Sequence, residues 1–567
     1  MFTSLPTDPA EFGRWRWPDY QPLYAQLEAL ELTPSLVGDF LAGWTALADR
    51  IDETQQRLRV AADCHPSDTA ATARHNAFLQ QVVMPAHAVD RRLDAKLLDS
   101  GIEPLNFAVP LSAVQARAET RRPANGPLQE REHQIQQIYS RLIAAQTVSW
   151  KGRNTPLPQL AAVYEQKDRK GRERLWRLEA ARRLVDGPGI DELWQQLVRL
   201  RRKMASNAGF RDYRKYRWRQ LGRLDYTPED CLRFHAAIEE FVQPVITRLY
   251  ERRRRRLGTR TVRPWDTSVD HLGRPPLGSG ADGSDLIERA AGIFQQLDPH
   301  LGSYFETMRA EGLLQMEHQP GKEPGGYCAR YPVSRRPFIL MNASDSQRDL
   351  WNLFHQAGHA FQVFETGRLP YRQQRYPGAE FTGVAAMAIE LLGAQLLSEE
   401  VGGFYPTTDA ARARIEHLEQ CLLRWSMMAI TDAFEHWVYE HGDAALDPRA
   451  CVAQWASLWL RYLPAVDWSG LEDELHAEWQ RHDSLFLHPF SSIEEGVAQL
   501  GAVQIWANAL RDPTQAVARY RQALSLGGTR ILPELFAAAG AELAFDDHTL
   551  REAANLMEDT IDELERG

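Results

Sequence analysis

The sequence predicts a mainly α-helical protein with one small β-sheet. Three observations predict this. Helix-period patterning with charged outer faces fills residues 22–120, 128–206 and 229–257. β-prone runs are few and short, at Tyr327 to Tyr331 and Phe338 to Met341. After them the helical pattern resumes and continues to the end of the chain.

Along the chain, turn residues set the expected boundaries. Arg122-Pro123-Ala124-Asn125-Gly126-Pro127 separates the first two helical stretches, and Asp186-Gly187-Pro188-Gly189 predicts a break in the second. The run Arg252 to Arg256 reads as a solvated helix end, with its cations near the negative end of the helix dipole. The longest loop spans 258–283 and contains Gly273-Arg274-Pro275-Pro276 and Gly278-Ser279-Gly280. No fixed-period repeat or low-complexity tract interrupts this pattern.

Composition narrows the function classes. The 567 residues are 44 % hydrophobic and 25 % charged, the composition of an ordinary globular protein. A net charge of -10 and a pI near 6.0 argue against a nucleic-acid binder, whose footprint would be basic. The five cysteines are odd in number and scattered, with no C-x-x-C pair, so neither a disulfide framework nor a zinc ribbon is expected. The first twenty residues hold no apolar signal core, and no window is read as a membrane span. The expected location is the reducing cytoplasm, with no membrane partner.

The residues that carry chemistry are His355-Gln356-Ala357-Gly358-His359. On a helix over 347–366, Leu350, Phe354, Ala357, Phe361 and Phe364 form an apolar stripe. His355, His359 and Gln362 form the neighbouring polar stripe. Residues four apart face the same way, so both imidazoles can address one metal ion. The pattern is that of the zinc-peptidase motif H-E-x-x-H, except that Gln356 stands where the general base belongs. An amide has the shape of a carboxylate but cannot take the proton. A catalytic zinc also needs a third protein ligand. The acidic residues of the following helix, about 380–397, are Glu380 and Glu390.

Several segments together carry a family resemblance: residues 208–213 (AGFRDY), 324–328 (PGGYC), 336–342 (RPFILMN), 355–362 (HQAGHAFQ), 380–392 (EFTGVAAMAIELL), 493–502 (IEEGVAQLGA) and 523–529 (ALSLGGT). In these the chain resembles the oligoendopeptidase F branch of the thimet-oligopeptidase-like zinc metallopeptidases, over nearly its whole length. The resemblance implies a two-lobed helical fold enclosing a deep channel, with the small sheet beside the histidine helix. The expected division is a helical lobe over 1–206 and a catalytic-like lobe over 207–567. Gly325, Gly326 and Tyr327 are then the residues expected to pair with an extended peptide.

The chain departs from the family pattern where the chemistry sits. The family's second helix reads roughly E-F-x-E-V-A-S, and its second glutamate is the third zinc ligand; that position is Gly383 here. Glu380 lies about 4.5 Å along the axis from it and Glu390 about 10.5 Å, at 1.5 Å per residue. Glu390 suits an outer position behind the ligands. The family's P-F-Y-Y-I-[DE]-Y segment supplies oxyanion tyrosines, and those positions hold Ser491, Ser492 and Glu495. A family histidine appears as Ser484, with His482 and His488 out of place. Losing a general base costs about 10²–10⁴ in rate and one oxyanion donor about 10²–10³, not additively. The resemblance and its departures together imply a pseudopeptidase that binds a peptide or partner protein, pairing with itself or with an active relative. No cofactor is expected; the alternative is zinc on His355 and His359. Whether the chain is an enzyme stays open. The alternative is a weak or rewired zinc endopeptidase, or another reaction using Glu380, Glu390, Glu494 or Glu495.

Overall fold

The computed structural model describes residues 5–278, 283–318, 322 and 325–566. Pro324 of the PGGYC segment, and Ser279 and Gly280 of the long loop, lie outside them. In chain order the elements needed below are α1 (Val37–Cys64), α2 (Gly126–Ala144), β1 (Thr147–Trp150), β2 (Arg153–Pro156), α3 (Arg169–Asn207), α4 (Pro228–Ala237), β3 (Leu314–Gln315), β4 (Gly326–Tyr331) and β5 (Arg336–Met341). Then follow α5 (Gln347–Thr366), α6 (Ala379–Gly393), α7 (Thr407–Glu440), α8 (Ser492–Ala509) and α9 (Pro513–Leu526). Helix dominates, as the periodicity predicts.

The chain forms two compact units that interleave in sequence. The first takes residues 1–118, 278–410 and 501–543; the second takes 119–277, 411–500 and 544–567. The expected cut between 206 and 207 falls inside α3 and its end, whereas contacts place residues 119–277 together.

In the first unit a three-stranded sheet has the order β3-β5-β4. β5 is central, parallel to β3 and antiparallel to β4 with Gly326 opposite Met341 and Tyr331 opposite Arg336. The turn between β4 and β5 is held by Glu53 of α1. Its carboxylate accepts the Ser334 N–H at 2.9 Å and the Ser334 hydroxyl at 2.6 Å. α5 starts at a capping box in which the Asp349 carboxylate accepts the Ser346 N–H at 2.9 Å. Leu350, Phe354, Ala357 and Phe361 are fully buried, and Phe364 stacks on Tyr304 at 4.6 Å. Each large side chain of that stripe contributes roughly 1.5–3 kcal/mol by leaving water.

α5 crosses α6 at Gly358. A Cβ there would sit 2.4 Å from the Ala385 carbonyl oxygen and 2.5 Å from the Ala386 Cα, so only glycine lets the two backbones approach this closely. Tyr520 of α9 donates to the same Ala385 carbonyl at 2.7 Å. The stretch Ala379–Leu396 is long and apolar enough to cross a membrane, against the sequence expectation that no window is. It is 72 % buried, and its apolarity serves packing inside the first unit.

The second unit corrects the sequence reading twice. The expected break at 186–189 is absent: α3 runs through Gly187, Pro188 and Gly189. Proline costs a helix about 3 kcal/mol and glycine about 1. Packing of Ile190, Trp194, Leu197 and Val198 outweighs this, and the Gln480 amide donates to the Gly187 carbonyl at 3.2 Å and to Asp191 at 2.7 Å. Residues 147–156, read as helix, form the β1–β2 hairpin. Its two-residue turn is Lys151-Gly152, both with positive φ (48° and 79°), which suits the twist of a tight hairpin. The long loop over 258–278 is borne out apart from a short helical turn at Pro264–Asp266. Each arginine from Arg252 to Arg256 is ion-paired rather than merely solvated.

Candidate functional site

Five of the expected residues, His355, Gln356, His359, Glu390 and Gly326, meet in the first unit, on α5, α6 and β4. The imidazoles of His355 and His359 are 4.8 Å apart by ring centroid and nearly perpendicular, at 85°. His355 Nδ1 contacts the Glu390 carboxylate at 2.6 Å, and Glu390 is buried. Glu390 therefore takes the outer position expected of it: a carboxylate on Nδ1 turns Nε2 outward, the arrangement that orients a metal-binding histidine. His359 has a buried Nδ1 without a hydrogen-bond partner. Burial pushes its pKa down to about 3, and the neighbouring His355 and Arg330 push the same way.

Gln356 faces the sheet. Its Nε2 donates to the Gly326 carbonyl of β4 at 3.4 Å and to the Asn352 side-chain oxygen at 3.3 Å. Both neighbours are acceptors. An amide satisfies them, whereas an ionised glutamate would present negative charge to them. Position 356 is thus built around the residue it holds.

Gly383 lies on the first turns of α6, half-buried, and offers no donor. Glu380 is buried one turn earlier. Among the described residues, the one group of three His, Cys, Asp or Glu donors lying within 4.8 Å of one another is elsewhere, in the second unit. The residues at the motif therefore do not fit a three-ligand catalytic zinc; they supply a pair of imidazoles with a carboxylate behind one of them.

The strand residues are where the pattern places them. Gly325 has φ +99°, and Gly326 begins β4, the outer strand of the sheet, where a Cβ would meet Met341 at 2.5 Å and Leu340 O at 2.6 Å. Tyr327 is turned to α1: its hydroxyl donates to Asp63 at 2.8 Å, and the Arg59 guanidinium lies 4.1 Å from its ring. Burial, and then Asp63, raise its pKa.

The oxyanion-side positions belong to the second unit. Ser484 is half-buried in a short helix, Asp483–Leu487, and Ser491 and Ser492 lie at the start of α8. Glu494 pairs with Arg223, and Glu495 is exposed. His482, near the family histidine position, is a packed residue against Trp455 at 4.9 Å, with its pKa pushed down to about 3 by burial.

One feature of this segment escaped the sequence reading. Phe490 adopts φ +63°, a conformation that costs a bulky residue roughly 1–3 kcal/mol. Its N–H donates to both oxygens of buried Glu435, at 3.0 and 2.9 Å, and its carbonyl accepts from Arg223 at 2.5 Å. The turn into Ser491 is kept, strained and clamped. Nothing in the local sequence announces it, because Glu435 and Arg223 lie 55 and 267 residues away.

Comparison with known proteins now places the chain. The model of peptidase family M3 matches residues 162–272 and 301–555, more than half of the sequence. The chain belongs to peptidase family M3. Its M3 relatives include oligopeptidase PepF of Bacillus subtilis, 22 % identical over 273 residues, covering 47 % of this chain and 39 % of the relative. The oligoendopeptidase F homolog of Borreliella burgdorferi is 21 % identical over 57 % of this chain and 54 % of its own length. The chain thus matches less than two thirds of either relative. Both lie in the oligoendopeptidase F branch that the motifs resemble. A solved M3 structure, PZ peptidase A with inhibitor 2, shares the fold with a TM-score of 0.86 at 22 % identity, covering 97 % of this chain and 99 % of that one. M3 peptidases are ordinarily zinc-dependent, which is consistent with zinc at this histidine pair and does not support the expectation of no cofactor.

Proposed function

We propose that this M3 chain is an oligoendopeptidase-like pseudopeptidase. It holds an extended peptide, or a segment of a partner protein, along the edge strand β4 and does not cut it efficiently. The observation that carries the reading is the Gln356 amide, which donates to the Gly326 carbonyl of β4 where the family places its general base. Gly383, Ser491, Ser492 and Glu495 stand where the third ligand and the oxyanion donors would be. An edge strand offers main-chain groups for pairing with a peptide, and such pairing needs no metal.

One observation favours a second reading, a weak zinc endopeptidase. The His355–Glu390 contact keeps a ligand histidine oriented for a metal. Two measurements separate the readings. Cleavage of a quenched fluorescent peptide library by the zinc-supplemented wild type would overturn the pseudopeptidase reading. The double variant Gln356→Glu/Gly383→Glu is expected to gain an equivalent of zinc that is lost again on adding His355→Ala, with little turnover. High turnover in the double variant would show that the tyrosine losses matter less than argued.

A further inference from the structure

The second unit contains a cluster that the peptidase reading does not use. Cys231 and His235 stand four apart on α4, and Asp432 and His436 stand four apart on α7. Each helix thus presents two ligand-type side chains on one face. All four are buried, between 0 % and 3 % exposed. The donor atoms of Cys231, Asp432 and His436 lie within 4.8 Å of one another. His235 Nε2 and His436 Nε2 approach the same Asp432 oxygen at 2.9 and 3.2 Å.

These contacts tie the carboxylate electrostatically to both imidazoles, and they fall outside strict hydrogen-bond geometry. Both Asp432 oxygens, both His235 nitrogens and His436 Nε2 are buried without a hydrogen-bond partner. Groups of this kind are rarely left unsatisfied, because each costs about 1–3 kcal/mol. The geometry points to a second metal site, formed by Cys231, Asp432 and His436 with His235 as the nearest fourth donor, that takes a borderline divalent cation of the zinc type.

The chemistry of the set agrees. Thiolate, imidazole and carboxylate together suit zinc rather than magnesium or calcium. A thiolate and a carboxylate carry two negative charges, so a divalent ion makes the buried group neutral. Cys231 donates to the Thr227 carbonyl at 3.5 Å, and burial raises its thiol pKa well above the ordinary value. Binding therefore displaces the thiol proton to solvent, and the cation takes its place. Tetrahedral zinc, with bonds of about 2.0–2.3 Å, sets donors about 3.3–3.7 Å apart. The three donors lie within 4.8 Å of one another, so binding would draw them together by about 1 Å. The competing arrangement involves Arg214, whose Nη1 lies 3.5 Å from His436 Nδ1. If that contact fixes the proton on Nε2, the cluster is a metal-free hydrogen-bonded group. Arg214 is, however, already bound by Asp212 at 2.7 and 2.9 Å and by Glu440.

The site would tie α4 to α7, the helix whose Glu435 clamps the strained Phe490 turn. It is independent of the proposed function and shares no residue with the His355 pair.

The test uses the full-length protein, stripped with chelator and reloaded with cobalt(II). The expected result is one tight equivalent with a near-ultraviolet thiolate-to-cobalt band, in the wild type and equally in His355→Ala/His359→Ala. Cys231→Ser keeps the hydrogen bond to Thr227 and is expected to lose the band and at least tenfold in affinity. X-ray absorption of the zinc-loaded wild type needs no variant and is expected to show one sulfur at about 2.3 Å. No sulfur in that shell, no cobalt band, or a band unchanged in Cys231→Ser overturns the proposal.

Discussion

At position 356 an amide and a carboxylate differ in the sign of what they offer the sheet. The Gln356 N–H group meets the Gly326 carbonyl and the Asn352 oxygen. Gln356→Glu alone sets a buried carboxylate against them and is expected to destabilise the protein by about 1–3 kcal/mol at neutral pH. Urea denaturation would show this loss shrinking in acid, where the glutamic acid is protonated and can donate. A loss that does not depend on pH would show that shape, not charge, governs the position. His482 makes the opposite point about reading residue type alone. It lies two residues from the family's histidine position, yet it is packed on Trp455 with a pKa held down near 3 by burial. Its folded pKa lies below the unfolded value of about 6.5, so the unfolded chain binds the extra proton. Stability therefore falls as pH drops below about 6.5, by up to about 1.4 kcal/mol per pH unit for one such group. His359 and His271 carry depressed values too and contribute in the same direction. His482→Phe is expected to reduce the acid slope of the unfolding free energy by about one proton while leaving peptide binding unchanged.

At the scale of elements, the glycine inside the histidine motif is a packing requirement. α5 and α6 touch backbone to backbone at Gly358, with 2.4 Å between its notional Cβ and Ala385 O. Gly358→Ala would gain about 1 kcal/mol of helix propensity in isolation. Here it is expected to cost about 1–3 kcal/mol net, because rigid backbone must move apart. Thermal unfolding measures the sign directly: a raised midpoint would mean that the two helices separate freely. The same balance explains what was legible in the sequence. Strong periodicity located α5 and its apolar face, since a stripe such as Leu350, Phe354, Ala357 and Phe361 has few other ways to be buried, whereas α6 was expected only as the helix that follows the motif. The unbroken α3 was not legible. Gly187-Pro188-Gly189 is a break by local rules, and what overrides them is Gln480, nearly 300 residues away. The β1–β2 hairpin was missed because two four-residue strands carry too little alternation to stand out from their helical flanks. At the site, the imidazole pair could be read directly from its i, i+4 spacing on a helix, and Gln356 from the residue type itself. The Glu390 contact could be placed only as an outer position, and the clamp on Phe490 not at all, since both depend on long-range packing. The Cys231 cluster went unread, because its partners Asp432 and His436 lie on α7, far along the chain.

For the whole molecule, charge distribution decides which partners are admissible. The chain is acidic overall at -10, and its one basic run, Arg252 to Arg256, caps the helix Gln243–Leu257. That run is neutralised in the folded second unit. Arg252 pairs with Asp562, Arg256 with Glu565 at 2.7 Å, Arg253 with Glu419 at 3.2 Å, and Arg254 and Arg255 with Glu251. Arg248, one turn earlier, pairs with Glu558 at 2.5 Å. A nucleic acid would have to displace these carboxylates before any counterion release could favour it. The wild type is therefore expected to show no binding of duplex DNA or RNA by fluorescence anisotropy at physiological salt. The triple variant Glu558→Gln/Asp562→Asn/Glu565→Gln uncovers the arginines without unfolding the chain, since partly exposed pairs contribute only about 0–1 kcal/mol each. It is expected to bind nucleic acid weakly at low salt, with log affinity falling by about 0.9 per phosphate contacted for each decade of salt. Salt-sensitive binding by the wild type would show that the ion pairs give way to a polyanion, and would reopen a partner class that the net charge argues against.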